Sequence, residues 1–233
     1  MLYIIATPIG NLEDISARAL RILQEVDLIA AEDTRTSGVL LKKYQITTPM
    51  TSFHSYSDDR KVQELVEKLV AGKKVALISD AGTPGISDPG FLLVRAARAA
   101  GVTVCPIPGA SAFLAALSAS GLPINHFLYL GFLPMKKGRQ TMLKKLQDEE
   151  NTIVFYESPH RIIKTLREFS EYFPERRLVV AREITKIFEE FASGSAAELL
   201  EHFSKKNPKG EFVVIMAGKD FREDNGRKLD EED

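Results

Sequence analysis

Cysteine is almost absent from this chain of 233 residues, because Cys105 is the only one. A lone cysteine can form neither an internal disulfide nor a cysteine-built metal site, and this usage fits a reducing compartment. Metal-ligand spacing is also missing among the histidines, which are His54, His126, His160 and His202. The sequence therefore predicts no metal site and leaves open only a loosely held Mg²⁺, which needs no recognisable pattern.

Long apolar segments and an excess of one charge are missing as well. The N-terminal run MLYIIATPIGN has no basic leader and is too short to span a bilayer, so we expect a cytoplasmic protein without membrane contact. The 31 basic and 32 acidic residues give a net charge of -1, which excludes a globally basic nucleic-acid binder. Any nucleic-acid surface must therefore be a local basic patch.

Short apolar runs of strand type alternate with segments of helical period, and this alternation predicts parallel strands joined by helical crossovers. In the first half the predicted strands are 2–6, 28–31, 75–79 and 102–107. One predicted helix carries its apolar face from Val62 to Val70 and stops at Gly72. A second runs over residues 89–100, with Asp88 as its N-cap and Pro89 in its first turn.

The strand pattern restarts after Gly121, with predicted strands at 127–132, 152–156, 178–181, 187–192 and 212–217. Only one short helical pattern, 196–203, separates the last two, which indicates some antiparallel pairing. We therefore predict an α/β fold of two α/β domains, the N-terminal one (1–121) with a mainly parallel sheet and the C-terminal one (122–219) with a mixed sheet. The charged segment 220–233 is predicted to be a disordered tail.

Three loops rich in glycine and proline directly follow predicted strands, at 7–12, 79–90 and 106–112. In an open α/β sheet, ligands bind beyond the carboxyl ends of the strands, so these loops are the first candidates for a binding site. The second loop, SDAGTPGISDPG, has almost no bulk, and only its Asp88-Pro89 pair is explained as a helix start. Ser111 in the third loop either caps the following helix or bonds a ligand. Because neither G-x-G-x-x-G nor G-x-x-x-x-G-K-[ST] occurs, the ligand need not be a phosphate.

Charged side chains cluster at the ends of predicted strands, in the segments AEDTR, YESPHR, REITK and KGEF. As a set they would point into a cleft, although a surface ion pair or a helix cap is the commoner explanation of any single one. Asp33, for example, fits an N-cap. A separate basic run follows in the second half of the chain. It is either the solvent-exposed face of a helix or a phosphate-binding patch, and it consists of Lys136, Lys137, Arg139, Lys144 and Lys145.

The ordered series TPIGNL, AEDTR, SDAGTP with SDPG, PGASA, YESPHR, REITK and KGEF resembles the ribosomal RNA small subunit methyltransferase I family, within the tetrapyrrole methylase (class III) superfamily. The resemblance runs from about residue 2 to residue 218. It implies two α/β domains with the active site in the cleft between them, S-adenosyl-L-methionine as the cofactor and, usually, a homodimer. The implied reaction is 2′-O-methylation of a cytidine ribose in the decoding region of 16S rRNA, within the small ribosomal subunit.

Matched motif by motif, the resemblance implies cofactor contacts in all three loops and in the second half of the chain. The implied residues are Pro8, Asp80, Ala81, Gly82, Thr83, Ser111, Ala112, Tyr156, Glu211 and Phe212. Tetrapyrrole-modifying relatives carry a G-D-P type loop where this chain has Ser79-Asp80-Ala81, and that difference favours the RNA branch. An acidic tail stands where family members often carry a small extra C-terminal region.

A ribose 2′-hydroxyl is a poor nucleophile until it loses its proton, so the implied reaction needs a base or a cation near that hydroxyl. The candidates are Lys186 and Glu183 of REITK, Glu157 and Arg161 of YESPHR, and Asp33 and Arg35 of AEDTR. We favour Lys186 as the electrostatic stabiliser and Glu183 or Asp33 as the base. Two alternatives stay open: methylation of a tetrapyrrole or another small acceptor, and a non-catalytic α/β ligand-binding protein.

Overall fold

The structure is a computed structural model that describes residues 1–54, 59–88, 90–205 and 208–222. It divides into two compact units, the first consisting of Met1–Ala115 and Ile184–Ile187 and the second of Ala116–Glu183 with the chain from Phe188 onward. The sequence pattern places the division after Gly121 and gives no sign that residues 184–187 join the first unit. No helix in the described ranges is long and apolar enough to cross a membrane.

Five strands form the sheet of the first unit: β1 (Leu2–Ile5), β2 (Leu28–Ala31), β3 (Met50–Ser52), β4 (Val75–Ile78) and β5 (Val104–Ile107). Their order is β3-β2-β4-β1-β5, and every neighbouring pair is parallel. This confirms the predicted parallel sheet. The short edge strand β3 was not predicted, because its residues form no apolar run.

Helices cover both faces of this sheet, which explains why its strands are apolar on both sides. They are α1 (Ala17–Glu25), α2 (Thr34–Lys43), α3 (Asp59–Val70) and α4 (Phe91–Ala99). A further helix, α5 (Ala112–Ser118), follows β5 in the chain. One core packs α1 and α2 on strand residues such as Ile5 and Ile29. A second core packs α3 and α4 on residues such as Leu2 and Leu77. The apolar face predicted from Val62 onward is the face that α3 buries.

The start of α4 corrects a prediction. The helix begins at Phe91, and its N-cap is Gly90, which has a φ of 151° and no capping side chain. Asp88 is therefore not the N-cap, because its side chain is hydrogen-bonded to Ser79 instead. Pro89, predicted in the first turn, lies outside the described residues.

The second unit has a mixed sheet, as predicted. Its strands are β6 (Phe127–Phe132), β7 (Thr152–Glu157), β8 (Leu178–Arg182), β9 (Glu190–Gly194) and β10 (Phe212–Met216), in the order β6-β7-β10-β8-β9. Only β6 and β7 pair in parallel; the other neighbours are antiparallel. Three helices, α6 (Arg139–Leu146), α7 (Ile162–Tyr172) and α8 (Ala196–Ser204), pack on the sheet around one core.

The strand predicted at 187–192 is wrong in its position along the chain. The strand runs from Glu190 to Gly194, and Ile187 and Phe188 are 95% and 71% exposed. Left-handed backbone at Glu183 (φ 50°) and Thr185 (φ 68°) turns the preceding chain, and extended strands do not accommodate that conformation.

Residues 220–222, the beginning of the predicted tail, lie in the described part of the chain. The backbone amide of Phe221 donates to the carbonyl of Gly218, and the Arg222 side chain donates to the carbonyl of Lys219. The disorder predicted for 220–233 stays a prediction. The remainder, 223–233, lies outside the described residues.

Candidate functional site

The carboxyl ends of β2, β4, β1 and β5 lie side by side, because these strands are neighbours in one parallel sheet. The segments that leave them are residues 32–35, 79–88 with 90, 7–12 and 108–112, which together we call the loop edge of the first unit. All three predicted loops and AEDTR are therefore adjacent. Parallel sheets bind ligands at such an edge.

Thr7 fastens the first loop to the second. Its buried hydroxyl donates to the carbonyl of Ser79 over 3.1 Å. Its backbone pairs with Gly82 through two hydrogen bonds, of 2.9 Å from Thr7 N and 3.0 Å from Gly82 N. Gly82 adopts a φ of +80°, which residues with a Cβ rarely do. The glycine in SDAGTP is thus required by the backbone where the two loops join.

The third loop is joined to the other two in a similar way. The Thr83 hydroxyl donates to the carbonyl of Ala110 over 3.1 Å. A Cβ on Gly109 would lie 2.9 Å from the Cβ of Ala6, so only glycine lets the third loop approach β1 this closely. Ser111 and Ala112 follow directly, partly buried at the start of α5.

Asp80 connects the second loop to AEDTR. Its Oδ1 accepts a hydrogen bond from the Asp33 backbone amide over 3.0 Å. The Asp80 amide in turn donates to Oε2 of Glu32 over 3.3 Å. Asp80 and the following Ala81 remain exposed, so the linked loops present a carboxylate to solvent.

Asp33 is the N-cap of α2, as its position suggested, with Oδ1 accepting from the Arg35 amide. The Arg35 guanidinium also contacts this carboxylate, with Nη2 2.7 Å from Oδ2. The side-chain hydrogen bond from Arg35, aided by the backbone bond from the same residue, lowers the pKa of Asp33 to about 2. A carboxylate with so low a pKa is a weak base.

Asp88 is a member of the loop edge that sequence reasoning misassigned as a helix cap. Burial, with a smaller contribution from the negative charges of Glu32 and Asp80, raises the pKa of Asp88 to about 6, although a hydrogen bond with Ser79 opposes the shift. The available signal was its place eight residues after Asp80 in one glycine-rich loop. That signal does not distinguish a cap from a carboxyl that turns back towards the strand.

Lys186 lies over the first loop, within the first unit. A Cβ on Gly10 would meet its Cγ at 2.5 Å and its Cε at 3.0 Å, and would meet Oγ1 of Thr185 at 2.9 Å. The aliphatic stem of Lys186 therefore covers the bare backbone of TPIGN. This contact could not be predicted from the sequence, because Gly10 and Lys186 are far apart along the chain.

In the second unit, the buried Glu157 and the partly buried Arg161 of YESPHR form an ion pair at 3.2 Å, with none of the Glu157 side chain exposed. Glu157 also accepts hydrogen bonds from the Ser158 amide (2.9 Å) and the Thr165 hydroxyl (2.6 Å). Arg139, which sequence reasoning grouped with surface lysines, donates to that hydroxyl over 2.8 Å. These contacts tie the end of β7 to α6 and α7.

Other candidate residues of the second unit occupy distinct environments. Tyr156 is partly buried, with its ring 5.5 Å from that of Phe132 between centroids. Oε1 of Glu183 accepts from the amide of the exposed Glu211 over 3.0 Å. Phe212 is 2% exposed and packs in the core, so it can offer a ligand only its backbone.

A metal site is not visible in the described part of the chain, where no group of three or more His, Cys, Asp or Glu side chains is arranged to hold an ion. The acidic groups of the loop edge are instead engaged with backbone amides and Arg35.

Comparison with known families and structures agrees with this geometry. Residues 1–200 match the sequence model of the Tetrapyrrole (Corrin/Porphyrin) Methylases. The Synechocystis sp. protein called Ribosomal RNA small subunit methyltransferase I is 51% identical over 220 residues, covering 94% of this chain and 79% of the relative. This chain belongs to the tetrapyrrole methylase family, in the small subunit methyltransferase I branch. A protein of the same name from Thermotoga maritima is 48% identical over 219 residues, covering 94% of this chain and 99% of the relative.

Solved structures show the same fold at low sequence identity. A uroporphyrin-III-C-methyltransferase from Thermus thermophilus has a TM-score of 0.63 at 21% identity, covering 94% of both chains. The cobalt precorrin-4 methyltransferase CbiF has a TM-score of 0.67 at 19% identity, covering 93% of this chain and 94% of that one. The family and the two-domain α/β fold, as predicted from the motif series, are thereby confirmed.

Proposed function

We propose that this protein transfers the methyl group of S-adenosyl-L-methionine to ribosomal RNA of the small subunit. The observation that carries the proposal is the 51% identity over 94% of the chain to a relative named for that activity. In the same proposal the acceptor is the 2′-oxygen of a cytidine ribose in the decoding region of 16S rRNA. The protein acts in the cytoplasm as a homodimer.

The loop edge of the first unit fits this cofactor chemically. S-adenosyl-L-methionine carries positive charge on its sulfonium and its amino group, and Asp80 and Glu32 supply negative charge at the edge. The small residues of the loops leave backbone groups accessible to a ligand. The cofactor residues of the proposal are Pro8, Asp80, Ala81, Gly82, Thr83, Ser111, Ala112, Tyr156, Glu211 and Phe212.

When bound, the cofactor supplies an electrophilic methyl group. The protein has to orient the acceptor hydroxyl and accept the proton that this hydroxyl loses. Lys186 stabilises the developing alkoxide by its positive charge, and its stem is held over Gly10. Glu183 is the proposed base, in preference to Asp33, whose pKa of about 2 makes it a weak proton acceptor. Arg35 holds Asp33, while the ion pair of the buried Glu157 with Arg161 positions the YESPHR segment.

The proposal is tested with radiolabelled cofactor and two acceptors, hypomethylated small ribosomal subunits and uroporphyrinogen. We expect label in the RNA alone, and nuclease digestion followed by mass mapping should place it on a ribose in 16S rRNA. Label in uroporphyrinogen would favour the alternative function, methylation of a tetrapyrrole. The solved structures with TM-scores of 0.63 and 0.67 are named as enzymes of that kind. Cofactor binding by calorimetry without transfer to either acceptor would indicate a non-catalytic protein.

The role of Lys186 is tested by single-turnover transfer. Lys186→Ala should slow the chemical step at least about a hundredfold, the lower range for removal of one charge-stabilising group. Lys186→Arg, which keeps the charge, should retain part of the rate. Lys43→Ala, at an exposed lysine of α2, is the matched control. An undiminished rate in Lys186→Ala would remove this residue from the mechanism.

A further inference from the structure

Two arginines, the buried Arg139 and the partly buried Arg161, hold the chain that links β6 to α6 in the second unit. Arg161 donates to the carbonyl of Leu133 over 2.7 Å. Arg139, only 4% exposed, donates to the carbonyl of Pro134 over 3.1 Å and pairs with Glu168 at 2.7 Å. The backbone of residues 132–137, which we call the 132–137 segment, is therefore held by a network of ion pairs and hydrogen bonds.

The side chains that this segment presents to solvent are unusual. Phe132 is 54% exposed and Met135 is 70% exposed, although both are large and apolar. The Phe132 ring also touches Tyr156, itself in ring contact with Tyr129 at 5.8 Å. The carboxyl ends of the parallel strands β6 and β7 thus carry an accessible aromatic surface, of the kind on which bases stack.

Positive charge accompanies these apolar side chains. Lys136 and Lys137 are both exposed, and neither forms an ion pair with any residue in the ranges that the structure describes. No aspartate or glutamate occurs between Asp88 and Asp148 in the sequence. Both acids of the network, the buried Glu157 and the partly buried Glu168, are matched by arginines. The exposed charge of the segment is therefore purely positive, within a chain of net charge -1.

Folding stability does not explain these lysines. They directly precede α6, which starts at Arg139 after the uncapped Gly138. The N-terminal end of a helix carries partial positive charge, so cations there are mildly destabilising. These two lysines therefore destabilise the start of α6 slightly. A binding role explains why they are present there.

We infer that the 132–137 segment is a binding surface for single-stranded RNA, with Lys136 and Lys137 on phosphates and Phe132 stacked on a base. This inference rests on the proposed function and adds the place of contact. Arg139 is a positioning residue, because it reaches the RNA only through the backbone that it holds. The combination of an exposed aromatic ring and unpaired cations matches single-stranded nucleic acid, in which every phosphate is accompanied by a base that can stack. The carboxylates of an acidic protein surface would pair with the lysines but would not themselves stack on Phe132.

The test measures the anisotropy of a short fluorescein-labelled single-stranded RNA at several salt concentrations, without cofactor. Lys136→Gln combined with Lys137→Gln should weaken binding about tenfold or more and reduce the magnitude of the slope of log K against log salt by about 1.4. The charge-matched control is Lys42→Gln with Lys43→Gln, two exposed adjacent lysines at the end of α2, which should change neither value. Phe132→Ala should weaken binding about fivefold or more while leaving the salt slope unchanged.

Arg139→Lys separates positioning from mere stability. It keeps the charge but loses the paired contacts to Pro134 and Thr165. In steady-state methyl transfer we expect KM for the RNA substrate to rise with little change in kcat, at temperatures where circular dichroism shows a folded protein. A fall in kcat alone would contradict the positioning role.

The outcomes distinguish this inference from the proposed function. If the wild-type protein methylates small ribosomal subunits while the double glutamine variant binds RNA with unchanged affinity and salt slope, the inference fails and the function stands. If no RNA is methylated, the function fails whatever the binding data show. Displacement of the RNA by polyglutamate at equal concentration would overturn the RNA assignment in favour of an acidic protein partner.

Discussion

Gly10 shows how a missing side chain leaves room for a proposed catalytic one. Its φ of +152° lies where residues with a Cβ are strained, and the Lys186 stem occupies the space that a Cβ would take. The first loop and Lys186 therefore depend on each other. A change at Gly10 should act on the proposed chemistry through Lys186.

Gly10→Ala should lower single-turnover methyl transfer about tenfold or more, because Lys186 has to move to admit the methyl group. In a double-mutant cycle the pair Gly10→Ala with Lys186→Ala should be no slower than Lys186→Ala alone, since coupled neighbours are not additive. Gly72→Ala is the matched control, because Gly72 also has a positive φ (+88°) but nothing within 4 Å of its Cβ position. Additive losses would show that Gly10 acts independently of Lys186.

Asp88 yields a prediction about pH. Because its pKa is raised from an ordinary 3.8 to about 6, the folded protein binds this proton more tightly than the unfolded chain. The contribution of Asp88 to the unfolding free energy therefore falls as pH rises between these values and is constant above them. Asp88→Asn should stabilise the protein by about 1 kcal/mol at pH near 7.5, after allowance for solvent screening, and by nearly nothing at pH near 4.

Urea denaturation at the two pH values measures this difference. Asp14→Asn, at an exposed carboxylate of the turn Leu12–Asp14, is the control and should show no such pH-dependent gain. Equal effects of Asp88→Asn at both pH values would mean that the raised pKa does not contribute to stability.

At the scale of elements, the network beneath the 132–137 segment joins α6, α7 and the end of β7. Arg139→Ala should lower the unfolding free energy by about 3 kcal/mol, because it leaves Glu168 without its buried partner and removes bonds to Thr165 and Pro134. Lys164→Ala removes the other cation near Glu168, at 3.8 Å and 63% exposed, and should cost less than about 0.5 kcal/mol. Equal costs in urea denaturation would contradict the structural role of Arg139.

Periodicity predicted the elements that bury one face or lie wholly inside. The apolar face of α3 and strands such as β4 follow from their sequences, because burial requires apolar residues at those spacings. The failures have local physical causes. Ile187 and Phe188 mimic the start of a strand but follow left-handed backbone, and β3 is too short and too polar to form a pattern.

The candidate site was predictable to the extent that it is local in sequence. The three loops are marked by glycine and proline after strands, and the structure requires glycine at positions 82 and 109. Contacts across the fold were not predictable, because no spacing rule relates Gly10 to Lys186 or Asp88 to Glu32. The basic run shows the same limit, since burial separates Arg139 from its exposed neighbours Lys136 and Lys137.

At the scale of the whole molecule, the proposed cofactor should stabilise the folded chain because the loop edge exists only when β1, β2, β4 and β5 pair. A ligand that binds only the native state stabilises it by about 2.7 kcal/mol at a concentration of one hundred times Kd. We therefore expect S-adenosyl-L-methionine to raise the thermal midpoint in proportion to the logarithm of its concentration.

Asp80→Ala should abolish this rise, since it removes the exposed carboxylate and its bond to the Asp33 amide. Asp14→Ala, at a carboxylate outside the loop edge that is also exposed, should keep it. Differential scanning fluorimetry over a cofactor series, with adenosine as the comparison ligand, provides the measurement. Because adenosine lacks the sulfonium and amino charges, Asp80→Ala should reduce the shift given by adenosine much less. If Asp80→Ala reduced the midpoint shift equally for both ligands, Asp80 would maintain the structure of the loop and would not recognise the charge of the cofactor.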